Sequence, residues 1–124
     1  MKEENKTGKV IFLEKVVALE TDIIKKILLE EIKRKYWDIL ETVEVEVKYL
    51  NLHNDWRDYL VTIQFKIWRV DVQYEVSEVV STVSFREKLD RALKNACQDI
   101  EYRIIIEALE AEQFVNIAKS MGIF

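Results

Sequence analysis

His53 stands in the stretch Asn51-Leu52-His53-Asn54-Asp55, whose composition is that of a loop. An imidazole beside a carboxylate has the ingredients of a general base or a metal ligand. Base catalysis, however, needs partners that orient the ring and a nucleophile to act on. Neither is visible, so His53 reads first as an exposed loop residue and second as a contact to a partner. Cys97, the only cysteine, falls beside Ala96 and Ile100 on an apolar helical stripe, where a thiol serves as a small hydrophobe. The carboxylate pairs Glu30/Glu31, Glu44/Glu46 and Glu110/Glu112 have no apolar setting that would raise a pKa for acid–base work. There is no glycine-rich phosphate loop, no Cys/His ligand pattern and no serine elbow. The expectation is a protein without catalysis of its own, with no metal and no cofactor.

Two groups of side chains suit binding better. Residues 85–98 hold four basic side chains, Arg86, Lys88, Arg91 and Lys94, against two acidic ones, while residues 99–113 hold Arg103 against five acidic ones. That order is the reverse of what a helix dipole favours, by about 0.3–1 kcal/mol for each charge, so either exposed charge is indifferent here or a partner reads it. Trp37 lies among Lys33, Arg34 and Glu41, and Trp68 lies on the outward side of its strand or in a turn. Each suits an interface anchor, a stacking platform or the end of a core.

The elements that must position these residues follow from hydrophobic period. Residues 1–8 read as a frayed tail and 9–124 as a single α+β domain. From Lys9 to Glu20 the signals conflict. Val10, Ile11 and Phe12 favour a strand, whereas Leu13, Val16, Val17 and Leu19 fit a helix, and an extra N-terminal strand or irregular segment is the preferred reading. Thr21-Asp22 can cap a helix over 22–41, in which Ile24, Ile27, Leu28, Ile32, Tyr36, Ile39 and Leu40 recur at helical spacing.

The period then drops to two. Val43, Val45, Val47 and Tyr49 form the inward side of one strand, and Tyr59, Val61, Ile63, Phe65 and Ile67 that of a second. After Ile67 the apolar residues shift to even positions, Val70, Val72, Tyr74 and Val76. A four-residue loop over Trp68–Asp71 restores the alternation and sets Phe65 against Val72 or Tyr74. The third strand is expected to lose its register near Val79-Val80. Ser84 and Glu87 then form a capping box for a helix from about Phe85 to Ala111 and onward to Met121, with Gly122 as terminator. The fold predicted is a helix, a three-stranded antiparallel meander and a long C-terminal helix, both helices on one face of the sheet.

In element order this is similar to double-stranded-RNA-binding domains. The resemblance implies a loop contact from His53 and a phosphate cluster of Arg86, Lys88 and Arg91. It is confined to that order, because the Gly-Pro before the loop histidine, the glycine-rich hairpin and the Lys-Lys pair of that family have no counterpart here.

The most informative feature is the last helix. Phe85, Leu89, Ala92, Leu93, Ala96, Ile100 and Ile104 make one core-facing stripe. Tyr102, Ile105, Ile106 and Leu109 form a second, roughly opposite the first at about 100° per residue. Cover for it can come from the 9–19 segment, from Phe114, Ile117, Ile123 and Phe124 folding back, or from a second copy. The second copy is preferred, since two-fold homodimers are the commonest soluble oligomer and four such side chains supply about 1.5–3 kcal/mol each. An antiparallel pair centred between Ile105 and Ile106 matches Tyr102 with Leu109.

Composition bounds the rest. The chain has 124 residues, 34% of them charged, and a net charge of −4, which does not give the basic field of a dedicated nucleic-acid binder. The single cysteine excludes an internal disulfide framework, and the polar start MKEENKTGK and the short Val10–Leu13 run make neither a signal peptide nor a membrane span. Cytoplasmic residence with no membrane or small-molecule partner is expected. Two glycines and no proline predict long elements, and a Lys/Glu-rich surface is compatible with a thermophile. The function expected is a homo-oligomeric protein-interaction module, an accessory, inhibitor or adaptor of the kind viruses and mobile elements encode. The alternative is a nucleic-acid binder that uses Lys88, Arg91, Lys94 and an exposed tryptophan.

Overall fold

The computed structural model describes the backbone of residues 2–52 and 55–122, and side chains over 8–50 and 55–122. Helix α1 spans Lys2–Tyr36, strands β1, β2 and β3 span Leu40–Leu52, Arg57–Ile67 and Gln73–Ser81, and helix α2 spans Phe85–Ser120. The strands form an antiparallel sheet in the order β1-β2-β3. The α+β meander with both helices on one face is therefore as the periodicity predicts. Tyr59, Val61, Ile63, Phe65 and Ile67 are all buried, and they pack with Ile24, Leu28 and Ile32 of α1 and Leu89, Ala96 and Ile100 of α2 in one core. The alternate residues, such as Glu44, Glu46 and Gln73, turn away from the helices, so a single face of the sheet is dry.

Four local expectations are corrected. No N-terminal strand exists among the described residues: 9–20 belongs to α1, whose range also takes in the expected tail from Lys2 onward. Val17 continues the Ile24, Leu28 and Ile32 stripe onto the core at helical spacing, and that packing outweighs the strand preference of Val10 and Ile11. The helix also stops earlier than predicted. The Ile39 amide donates to the Tyr36 carbonyl at 3.1 Å and Leu40 opens β1 opposite Ile67, so the last two residues of the apolar run serve the turn and the sheet.

Strand β3 keeps its register past Val79, because Val80 points inward, fully buried, opposite Tyr59. The capping box does not form. Ser84 has φ 54° and ψ 50°, a left-handed conformation, and its side chain makes no capping bond, whereas a capping serine works from the extended region. Its carbonyl still accepts the Lys88 amide at 3.0 Å and starts the helix.

The turn and terminator readings hold. Phe65 lies opposite Tyr74, the register a four-residue loop demands, although Val72 itself is exposed. Within the loop the Val70 amide donates to the Ile67 carbonyl at 3.1 Å, and Arg69 takes φ 68° at the position where a type II turn asks for glycine. Gly122, at φ 75°, closes α2 as a left-handed C-terminal residue.

The two helices run parallel and are staggered. The Glu20 carboxylate meets Arg57, whose backbone meets Thr82, so the start of α2 lies level with the middle of α1. The Tyr36 hydroxyl meets Glu101, so the end of α1 lies level with the middle of α2. Each helix therefore extends past its neighbour, α1 at the Arg57 end of the sheet and α2 at the hairpin end.

Candidate functional site: two outward apolar stripes on staggered helices

Three polar groupings carry residue types capable of chemistry. Between α1 and α2 lies a cleft of about 460 Å³ with Cys97 among its lining residues. Arg34, Lys35 and Lys94 face Glu31, Asp90 and Glu101 there, a balance that gives neither sign of ligand a field to follow. At its edge the Tyr36 hydroxyl donates to Glu101 Oε1 at 2.7 Å, with the Cys97 carbonyl at 3.3 Å and Lys35 Nζ 3.5 Å from the same carboxylate oxygen. Burial, then the bond to Glu101, pushes the Tyr36 hydroxyl well above the ordinary tyrosine range. That bond, helped by Lys35, holds the Glu101 carboxyl below 4.5.

A carboxyl with a depressed pKa adds stability that is present above its unfolded value and lost as pH falls through the folded one. Tyr36→Phe is therefore expected to cost about 1–2 kcal/mol at neutral pH. The gap between variant and parent should narrow at pH 3, as read from urea midpoints at the two pH values.

The second grouping sits where α1 crosses the Arg57 end of the sheet. Arg57 Nε donates to Glu20 Oε1 at 2.6 Å, with both side chains mostly buried. Tyr59 lies beside the pair, and burial with the Glu20 charge pushes its hydroxyl up to about 12. The other Glu20 oxygen and the Tyr59 and Tyr49 hydroxyls are buried without hydrogen-bond partners among the described residues. The third joins α2 to β3: the Tyr74 hydroxyl donates to Glu107 Oε1, and the Arg103 guanidinium lies 5.0 Å from the Tyr74 ring centre. Glu107 raises the Tyr74 hydroxyl to about 12. All three fasten helices to each other or to the sheet, and in each the tyrosine hydroxyl is pushed above its ordinary range, the reverse of activation as a nucleophile. Among the described residues no group of three or more His, Cys, Asp or Glu side chains is placed to hold a metal, and no helix is long and apolar enough to cross a membrane.

The residues singled out for nucleic acid are brought together only in part. Lys88, Arg91 and Lys94, three residues apart, fall within about 120° on one side of the first turns of α2, while Arg86 lies off that side. Trp68 is exposed in the β2–β3 hairpin, at the other end of a nine-residue strand from the start of α2 and about 30 Å from it, while Lys94 lies farther along α2 toward the hairpin. Trp37 is exposed just after α1, at the Trp68 end. His53 lies outside the described residues. Cys97 is buried in the core, as its stripe implies.

The second stripe of α2 is where the arrangement departs from an ordinary core. Tyr102, Ile105 and Leu109 are 56%, 57% and 50% exposed, and Ile106 between them is partly covered. Among the described residues neither covering segment reaches them, and Ile123 and Phe124 lie outside the described residues. Residues 9–19 are in α1, and Phe114 and Ile117 continue α2 as exposed residues.

The sequence reading missed a companion on α1. Phe12, Val16, Leu19, Ile23 and Ile27 recur at steps of four, three, four and four on the side turned away from Ile24, Leu28 and Ile32. All but Val16 are exposed, by 37% to 69%. The signal was present in the spacing, and preferring a strand at Val10–Phe12 hid it. A soluble helix apolar on opposite sides needs cover on both. No protein-family model, curated protein or solved structure matches the chain.

Proposed function

We propose that this protein is a non-catalytic module that associates with itself through the outward stripe of α2 and serves another macromolecule as an accessory, inhibitor or adaptor. The observation that carries the reading is the exposed set Tyr102, Ile105 and Leu109, with the partly covered Ile106 between them, which lies just past the point where α1 ends. With α1 out of the way, a second α2 can lie antiparallel along the stripe about a two-fold between Ile105 and Ile106, which sets Tyr102 against Leu109. Apolar contact supplies the attraction, and the acidic residues around the stripe stay at the rim. Cytoplasmic residence, and one further protein partner whose identity defines the biological role, belong to the same proposal.

Ile105→Glu tests it, because a carboxylate at the centre of the contact has no partner and Ile105 is not part of the core. The variant is expected to sediment as a smaller species than wild type, with unchanged far-ultraviolet circular dichroism. A wild type that is already monomeric at high micromolar concentration overturns the reading.

A further inference from the structure

We infer that the outward stripe of α1 is a second, separate self-association face, which pairs antiparallel with the same stripe of another copy. An antiparallel pair about a two-fold between Leu19 and Glu20 matches each residue with the one whose number brings the total to 39. Under that operation Phe12 meets Ile27 of the partner subunit, Val16 meets Ile23 of the partner subunit, and the two Leu19 side chains lie next to each other at the centre. The operation thus sets apolar residue against apolar residue along the stripe, the self-complementarity that an isologous contact needs.

Charge agrees with that register. Lys9, at one flank of the stripe, falls beside Glu30 of the partner subunit, and symmetry makes this pairing twice. Lys15 falls between Asp22 and Lys26 of the partner subunit, which is neutral on balance. A parallel pair in register would instead place Lys9 on Lys9 of the partner subunit, so the antiparallel arrangement is preferred.

The stagger of the helices removes the obstacle. Glu20 is level with Arg57 and Thr82, just short of where α2 begins at Phe85, so the two-fold between Leu19 and Glu20 passes through a place where only α1 fills the helix layer. The α2 face has the same property at the other end of the molecule. Because the two faces sit at opposite ends, one two-fold cannot use both. Copies joined alternately through α1 and α2 pass beyond a dimer, and their mean mass grows with concentration.

The experiment separates the two faces. Wild type, Leu19→Glu, Ile105→Glu and the double variant are sedimented side by side, with circular dichroism as the check on folding. Wild type is expected to exceed a dimer, each single variant to stop at a dimer, and the double variant to be a monomer. If Leu19→Glu leaves the wild-type mass unchanged, the α1 contact is overturned and the α2 reading stands. If Ile105→Glu leaves it unchanged while Leu19→Glu halves it, the α2 reading fails and the α1 contact stands.

Orientation is tested in the Ile105→Glu background by air oxidation of Leu19→Cys beside Phe12→Cys. The antiparallel register brings two residues 19 within disulfide reach and holds two residues 12 about 22 Å apart along the helix. A covalent dimer is expected from Leu19→Cys and none from Phe12→Cys or from the parent, whose Cys97 is buried. Equal cross-linking at both positions, or none at Leu19→Cys, overturns the antiparallel pairing.

Discussion

Phe65→Ala is expected to lower the stability of the fold by about 3–5 kcal/mol, a large share of the roughly 5–15 kcal/mol that holds a domain of this size. Phe65 is fully buried at the centre of the middle strand, opposite Val43 on β1 and Tyr74 on β3, with its ring centre 5.5 Å from that of Tyr74. Removing the ring takes away its own transfer energy and leaves a void that two flanking strands and two helices cannot close without moving each other. Trp68, three residues along, is comparably large but exposed at the hairpin, so Trp68→Ala should stay within about 0.5 kcal/mol. Urea unfolding followed by circular dichroism reads both. A loss under 1 kcal/mol at Phe65 contradicts a core centred on this face of the sheet.

The sheet was the most legible part of the molecule, for a reason the Phe65 environment makes plain. With one face dry and one wet, the period of two is forced on β1 and β2, and the change of phase after Ile67 fixes the hairpin register without any knowledge of the turn. The turn itself was harder to read. Arg69 occupies a left-handed position that sequence preference assigns to glycine or asparagine, and nothing in its neighbours announces this. Ser84 shows the same limit from the other side. The pattern Ser-Phe-Arg-Glu carries the chemistry of a capping box, yet the tight passage from β3 into α2 sets the backbone where that chemistry cannot act.

Helix length was less legible than helix existence. The core-facing stripe of α2 and its terminator at Gly122 could be followed from spacing alone. In α1 the two stripes run along different sides of the helix, so Val10 to Leu19 keeps only Glu14 and Lys15 as polar residues and loses the one-sided signature by which an amphipathic helix is recognised. The same doubling is what makes the segment a candidate surface. A stretch that is ambiguous by pattern, apolar on opposite sides and largely uncovered in the folded chain has two sets of neighbours to satisfy, and one set is absent from the monomer. His53, Trp68 and the basic residues of α2 are legible by residue type alone, which does not say whether they share a surface. Lys88, Arg91 and Lys94 share one side of α2, whereas Trp68 lies in the hairpin, at the far end of β3 from where that helix begins.

Arg57→Met is expected to destabilise the protein by about 3 kcal/mol, the lower part of the range for breaking a buried pair because Arg57 retains some contact with water. The substitution keeps most of the side-chain volume and removes the cation that meets Glu20, whose other oxygen lacks a partner among the described residues. The loss therefore measures the cost of a carboxylate left buried, which differs from the net worth of the pair. Glu20→Met with Arg57→Met separates the two, since an apolar pair of similar volume should recover most of the loss or exceed the parent.

The position of the pair gives the comparison a second reading. Glu20 adjoins Leu19, at the centre of the α1 stripe, and the ion pair fastens α1 to the sheet where the helix passes beyond it. In Arg57→Met the amides of residues 8–20 should exchange hydrogen faster than those of residues 24–36, which the core holds, and the double variant should restore their protection. Exchange that is unchanged in the single variant would mean that Val17 and its apolar neighbours alone hold this part of the helix, leaving Glu20 and Arg57 without a role in presenting the stripe.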